Sequence, residues 1–424
     1  MNINPINRLK GELKVPGDKS ISHRGVMLGS ISKGTTVIKN FLMGADCLST
    51  IACFEKMGIP ITITGTTVRV NGKGLNGLTQ PNKILDVGNS GTTLRLLSGI
   101  LSGQTFETSI TGDSSIVRRP MGRIINPLSQ MNAIISSVSG NNLAPLTIKP
   151  SKLHGIHYNS PIASAQVKSS IMLAGLYADG NTSIEEPYIS RNHTELMLSH
   201  FGGKVEALGN KVTVSPVSEL FSQEIIVPSD ISSAAFYIVA ALLSKNSEVI
   251  LNDVGINPTR DGIIKVLKQM NADIELDNQR TINGELIADI IVRSSKLIGT
   301  EISGSIIPTL IDEIPIIAVA AAFAEGKTTI KDAQELKVKE SNRIDTMANE
   351  LAKMGVNIIG TEDGLIINGG NPLDGAILES HHDHRVAMSL TIAALNAKGP
   401  SKLLNSNCIN ISYPGFFQDL KKLF

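Results

Sequence analysis

Apolar and polar positions alternate along this chain in a repeating grammar. A turn glycine or asparagine opens a β-branched strand, a polar loop follows, an amphipathic helix comes next, and two short strands around a tight turn close the unit. Gly34-Thr35-Thr36-Val37-Ile38-Lys39 and Gly326-Lys327-Thr328-Thr329-Ile330-Lys331 are two such openings. The first leads to a helix ending Phe54-Glu55-Lys56-Met57-Gly58, the second to one ending Leu351-Ala352-Lys353-Met354-Gly355, with glycine suited to the C′ position. Hairpins follow both: Ile59 to Thr64, a Gly65-Thr66 turn and Thr67 to Asn71 parallel Val356 to Gly360, a Glu362-Asp363-Gly364 turn and Leu365 to Asn368. The same order restarts at Gly103, Gly180 and Asn246, with helices ending at Met131, Gly202 and Met270, and a shortened copy begins near Gly399. Spacings between the starts run from 66 to 80 residues, so the pattern predicts six βαβ-type units and an α/β fold. Ile344, Met347, Leu351 and Met354 form a stripe at helical spacing, which predicts a core-facing helix surface.

The sixth unit ends at Phe424 before its hairpin, whereas Arg8 to Val15 precedes the first unit with strand-like alternation. The termini are therefore expected to complete each other in a discontinuous first domain of residues 1 to 19 plus 228 to 424. Residues 20 to 227 then form a second, inserted domain. Two echoing loops mark the crossovers: Val15-Pro16-Gly17-Asp18-Lys19-Ser20 and Val227-Pro228-Ser229-Asp230-Ile231-Ser232. They are expected to act as hinges, with the active site in an interdomain cleft that closes on a ligand.

Composition narrows this picture only mildly. The chain has 424 residues, 42% hydrophobic, enough for two cores. With 39 basic against 38 acidic residues there is no global field for nucleic acid or an anionic membrane. Met1 to Lys10 has no apolar core of signal-peptide length and no later apolar run reaches spanning length, so a cytoplasmic location is expected. Cys47, Cys53 and Cys408 are odd in number and lack metal spacing, and read as packing residues.

Charge gathers in the loops between strand and helix. Arg118-Arg119-Pro120, Ser190-Arg191-Asn192-His193, Pro258-Thr259-Arg260-Asp261 and Lys337-Val338-Lys339-Glu340-Ser341-Asn342-Arg343 carry cations, while Gly44-Ala45-Asp46 carries acid only. Equivalent loops sit at equivalent ends of repeats, so helix N-termini and cations together predict a basin for phosphate or carboxylate. Gly88-Asn89-Ser90-Gly91-Thr92-Thr93 leads into apolar Leu94 to Leu101 and offers backbone N–H groups to an anion, yet it is neither a Walker nor a dinucleotide sequence. His381-His382-Asp383-His384-Arg385 holds metal-ligand residue types, but neighbours on a strand face opposite ways, and Arg385 offers a planar fork to an anion instead. Asp312, ahead of the apolar stretch Ile314 to Phe323, fits either a helix cap or a base. Glu340 fits either an i, i+3 partner of Arg343 on a helix or a catalytic acid.

At these motifs the chain resembles the 3-phosphoshikimate 1-carboxyvinyltransferase (5-enolpyruvylshikimate-3-phosphate synthase) family, over essentially its whole length. The resemblance rests on Pro16-Gly17-Asp18-Lys19-Ser20-Ile21-Ser22-His23-Arg24, Gly88 to Thr93, Arg119-Pro120-Met121, Ser164-Ala165-Gln166-Val167-Lys168-Ser169, Ser190 to Glu195, Lys337 to Arg343 and Asp383-His384-Arg385. It implies a two-domain inside-out α/β barrel with six βαβαββ repeats, three per domain. It implies transfer of the enolpyruvyl group of phosphoenolpyruvate to the 5-hydroxyl of shikimate 3-phosphate through a tetrahedral intermediate, by a monomer, with no metal or organic cofactor and no nucleic-acid or membrane partner. By motif position, Lys19, Gly91, Arg119, Gln166, Arg343 and Arg385 would hold phosphoenolpyruvate. Ser20, Arg24, Ser164, Ala165, Gln166, Arg191, Asp312 and Lys339 would hold shikimate 3-phosphate. Glu340 resembles the acid that becomes a base, Asp312 the base near the 5-hydroxyl, and Lys19 a cation assisting proton traffic and phosphate departure. Glyphosate, a family inhibitor, would compete at the phosphoenolpyruvate site.

The chain departs from the pattern at Ile411, where several members carry a lysine, at Ala165, where some carry serine, and at Ser190-Arg191, which replaces a tyrosine-containing loop. The sister UDP-N-acetylglucosamine enolpyruvyl transferases usually carry a mobile-loop cysteine, which Gly112-Asp113-Ser114-Ser115 lacks. A non-catalytic anion-binding relative is the remaining alternative, against which Lys19, Asp312 and Glu340 together argue.

Overall fold

The computed structural model describes all of residues 1–424. The chain divides into a first unit of Met1–Pro16, Pro228–Thr281 and Glu285–Phe424 and a second unit of Gly17–Val227 with Ile282–Gly284. Gly17, Asp18 and Lys19, assigned from sequence to the first domain, belong to the second unit. Each unit holds its own hydrophobic core.

Six sheets carry the fold, five of four strands and one of three. In the second unit each sheet is built the same way. Leu85–Asp86 runs parallel to Thr108–Thr111, which is antiparallel to Leu146–Lys149, which in turn pairs with Ile134–Ser137. His157–Asn159, Thr182–Glu185, Lys211–Ser215 and Lys204–Leu208 repeat the order. In the third sheet the parallel edge strand is Glu224–Ile226, which returns from the end of the unit to pair with Lys33–Lys39. In the first unit Lys10–Leu13 takes that edge role beside Glu248–Gly255, and Asn2–Ile3 pairs antiparallel with Ser401–Lys402 in the three-stranded sheet. The N-terminal segment thus contributes strands to two sheets of the C-terminal repeats.

Helices come in two kinds. The amphipathic ones read from sequence, Ala45–Lys56, Gly122–Gln130, His193–His200, Gly262–Gln269 and Arg343–Lys353, each stop where a residue turns left-handed. Gly58, Gly202 and Gly355 do this without a Cβ, and Asn132 and Asn271 do it with the side chain best suited to that region. The second kind is buried all round: Lys19–Ser30, Gly91–Ser102 and Ala165–Gly175 in the second unit, Ile231–Leu243, Ile314–Phe323 and His384–Leu395 in the first. Nearly every residue of these six is buried; Ile231–Leu243 and Ile314–Phe323 are almost wholly apolar, whereas the three of the second unit bury the cations Arg24, Arg95 and Lys168 near their starts. Five of the six open on a side-chain cap, Asp18, Ser90, Ser164, Asp230 and Asp383, while Ile314–Phe323 has Pro315 in its first turn. The echoing Val-Pro loops share one device, since Asp18 accepts from Ile21 N at 2.9 Å and Asp230 from Ser232 N at 2.9 Å. No single helix is long and apolar enough to cross a membrane.

Candidate active site

In the second unit the capped starts of the inner helices are tied together by polar side chains. Lys19, the first residue of its helix, forms an ion pair with Asp46 at the start of Ala45–Lys56, and Asp46 is 5% exposed. One turn on, buried His23 shares a 2.7 Å hydrogen bond through Nδ1 with Thr50 Oγ1, which lies 2.7 Å from Thr93 Oγ1, which donates at 2.7 Å to the cap Ser90. Burial, and then the Lys19 cation, push the His23 pKa down to about 3, so the imidazole is neutral and links three helix starts without adding charge. Arg24 is also buried: Nε donates to Thr194 Oγ1 at 2.6 Å, Nη2 to Ser169 Oγ at 2.8 Å and Nη1 to Ser20 O at 3.1 Å.

The start of Gly91–Ser102 is flanked by guanidinium groups. A Cβ at Gly91 would lie 3.3 Å from Arg119 Nη1 and 3.4 Å from Arg95 Nη1, so glycine lets both cations approach the exposed N–H groups of the helix. Arg119 donates to Asn89 Oδ1 at 3.3 Å and Ser115 Oγ at 3.2 Å. Arg95 donates to Gln166 Oε1, and Gln166 Nε2 donates to Thr92 Oγ1 at 3.1 Å, which orients the amide between two helix starts. Together these groups form a cationic cradle at a helix N-terminus, suited to a phosphate or carboxylate. Ser164 and Ala165 open Ala165–Gly175, and Arg191 lies just ahead of Asn192, which takes the cap position of His193–His200 in the same unit.

In the first unit Arg343 is the hub. Its guanidinium is 1% exposed and donates through Nε to Asp383 Oδ2 at 2.8 Å and through Nη2 to Glu340 Oε2 at 2.7 Å and Asp383 Oδ1 at 3.3 Å; Nη1 reaches Asp312 Oδ1 at 3.4 Å. Burial opposes its charge, but the carboxylates of Asp383, Glu340 and Asp312 outweigh burial and raise its pKa further. Burial likewise favours the neutral form of Asp383, and the Arg343 charge overrides it to hold that pKa below the usual carboxylate value. Asp383 also caps His384–Leu395, accepting from Arg385 N at 2.9 Å and Ser341 Oγ at 3.1 Å. Lys339 Nζ lies 3.4 Å from Asp312 Oδ1. Arg385 Nη1 donates to Asp312 O at 3.1 Å and Glu313 Oε1 at 3.4 Å. Asp312, Lys339, Glu340, Arg343 and Arg385 therefore occupy one locality. Two carboxylates there share a guanidinium that fixes their mutual position, an arrangement suited to moving protons beside bound anions.

Local details differ from the sequence reading. Asp312 caps no helix, since Glu313 occupies the N-cap position and makes no capping bond, and Asp312 instead faces Lys339 and Arg343. Glu340 is paired with Arg343 at i, i+3 but precedes the helix, which begins at Arg343. His381 Nε2 meets Glu350 Oε1 at 3.0 Å, whereas His384 is buried at the start of its helix, so the histidine run does not converge. Four residues escaped a role: Asp46, Arg95, Glu313 and Asp383. Arg95 left a readable signal, a lone cation inside the apolar run Leu94 to Leu101. Asp46 was readable only as the acid of its loop, because its partner Lys19 lies 27 residues earlier.

A family model described as EPSP synthase (3-phosphoshikimate 1-carboxyvinyltransferase) matches residues 3–420. A 3-phosphoshikimate 1-carboxyvinyltransferase of Thermoanaerobacter sp. (strain X514) is 62% identical over 415 residues, covering 98% of each chain. A solved EPSP synthase from Acinetobacter baumannii superposes with a TM-score of 0.89 at 45% identity, covering 100% of this chain and 97% of that one. The enolpyruvyl transferase NikO from Streptomyces tendae shares the fold alone, with a TM-score of 0.80 at 17% identity over 100% of this chain and 96% of the other.

Proposed function

Because the chain belongs to the EPSP synthase family, we propose that it transfers the enolpyruvyl group of phosphoenolpyruvate to the 5-hydroxyl of shikimate 3-phosphate and releases phosphate. The observation that carries the catalytic reading is Arg343, which holds Glu340 at 2.7 Å and Asp312 at 3.4 Å on one guanidinium. In this reading Glu340 gives its proton to the methylene carbon of phosphoenolpyruvate while Asp312 accepts the proton of the 5-hydroxyl. The hydroxyl oxygen bonds to the central carbon and a tetrahedral adduct forms. Glu340 then takes a proton back from the new methyl group, the double bond returns, and the carbon–oxygen bond to phosphate breaks. Lys19 stabilises the departing phosphate, which leaves with the proton that Asp312 took from the 5-hydroxyl.

Lys19, Gly91, Arg119, Gln166, Arg343 and Arg385 hold the donor in this proposal. The cradle of cations at the Gly91 helix start supports that role. Ser20, Arg24, Ser164, Ala165, Gln166, Arg191, Asp312 and Lys339 hold the acceptor. Arg24 differs from the others in being mostly committed to hydroxyls of its own unit, so its share is to fix the Ser20 turn as much as to meet phosphate. Arg191 offers a planar fork to the phosphate. The reaction calls on residues of both units. The near-equal numbers of acids and bases support small anions as the ligands, not nucleic acid. We assign the chain to the cytoplasm as a monomer on the same reading.

The test is phosphate release from purified protein given phosphoenolpyruvate with shikimate 3-phosphate, repeated with UDP-N-acetylglucosamine as acceptor. Release with the first acceptor alone is the expected result. Release with only the second would make the chain a sister transferase, and silence with both would leave an anion-binding relative.

A further inference from the structure

The second unit contains a buried charge cluster that the mechanism above leaves unused. Lys168, with its side chain 3% exposed, places Nζ 2.7 Å from Glu195 Oε1 and 3.0 Å from Glu186 Oε2, and donates at 3.3 Å to Ser190 O. An ammonium has three N–H groups, and here each has an acceptor. Glu186, 2% exposed, uses both oxygens on backbone: Oε1 accepts Ser164 N at 2.8 Å, and Oε2 accepts Ser190 Oγ at 2.7 Å and Ser190 N at 3.4 Å. One carboxylate therefore binds the residue that caps Ala165–Gly175 and the residue that precedes Arg191.

Lys168 sits near the start of the first of those helices and Glu195 in the first turn of the second, His193–His200, so the cluster bolts two helix starts together. The Arg24 guanidinium repeats the link one layer on, through Ser169 and Thr194, whose hydroxyls are 2.6 Å apart. Burying three charges carries a desolvation cost that apolar side chains of the same volume would avoid. What the ions supply, and apolar groups cannot, is a fixed backbone-to-backbone separation.

We infer that Lys168, Glu186 and Glu195 are positioning residues that set the spacing between the Ser164–Ala165 and Ser190–Arg191 segments, and through it the affinity for the phosphate of the acceptor as distinct from the donor. The inference rests on the proposed reading of Ser164, Ala165 and Arg191 as acceptor contacts.

The experiment is steady-state kinetics on the full chain, with both substrates varied, for wild type, Glu186→Gln and Ser190→Ala. Gln keeps the size of Glu186 but turns one acceptor oxygen into a donor, facing either Ser164 N or the Ser190 and Lys168 donors. The KM for shikimate 3-phosphate rises about tenfold in Glu186→Gln and about threefold in Ser190→Ala, which loses only the 2.7 Å hydroxyl bond. The KM for phosphoenolpyruvate and kcat stay within about twofold in both variants. A loosened fold would instead lower the active fraction and leave both KM values alone or move them together, and either pattern overturns the inference. Should Glu186→Gln not fold, Ser190→Ala decides by the same criterion. A wild type without turnover on shikimate 3-phosphate overturns the functional reading and this inference with it, whereas an active wild type with unsplit KM values overturns this inference alone.

Discussion

In the proposed reaction Glu340 gives and retakes one proton, and its geometry suits that work because a 2.7 Å bond from buried Arg343 fixes the carboxylate while 18% of the side chain stays exposed. Replacing it by Gln keeps an oxygen toward Arg343 but removes the proton donor. Glu340→Gln therefore lowers kcat by on the order of a hundredfold or more, with smaller changes in KM, measured by phosphate release. His23 makes a prediction about stability. Burial and Lys19 lower its pKa from 6.5 to about 3, so the unfolded chain takes up a proton that the folded chain refuses. The stability tied to this residue is whole above pH 6.5 and drains away as pH falls toward 3. His23→Asn keeps a short polar group beside Thr50 but cannot titrate. Its melting temperature, lower than wild type at neutral pH through lost packing, declines less steeply between pH 6.5 and about 4; an acid limb as steep as that of wild type would refute the account of His23.

At the scale of elements, what the sequence disclosed depended on how each helix meets solvent. The outer helices show a stripe, as Ile344, Met347, Leu351 and Met354 do, and their ends are marked by Gly or Asn, so their positions were legible within a residue or two. The inner helices are buried on all sides and carry no stripe, so periodicity counted one helix per repeat where the fold has two. Their starts were still marked, because a helix entering a core needs its first N–H groups satisfied and Ser or Asp does that. Side-chain partnerships were the illegible part. That Lys19 meets Asp46, or that Glu186 meets Ser164, follows from the packing of helix starts and from no spacing along the chain. The cap Ser90 makes this measurable. Its hydroxyl serves Thr93 N at 3.1 Å and Thr93 Oγ1 at 2.7 Å, both buried. Ser90→Ala costs about 1–2 kcal/mol in urea unfolding and raises the KM for phosphoenolpyruvate, because the loosened helix start no longer presents its N–H groups squarely. An unchanged KM with reduced stability would detach this cap from the donor site.

For the whole molecule, the two units have separate cores and separately completed sheets, and the proposed machinery is divided between them. Residues 17–227 contain every strand of the second unit's three sheets, including the returning Glu224–Ile226. Expressed alone, that segment unfolds cooperatively by circular dichroism but has no turnover, since Asp312, Glu340, Arg343 and Arg385 are missing from it; a fragment that fails to fold would show that the units are not independent. The central claim, a proton delivered to and then withdrawn from the donor's methylene carbon, is tested most directly by running the reaction in D₂O and reading the product by NMR. The account predicts stoichiometric phosphate with deuterium in the vinyl methylene of the new enolpyruvyl ether, and loss of both in Glu340→Gln. A product whose methylene carries protium alone would contradict it.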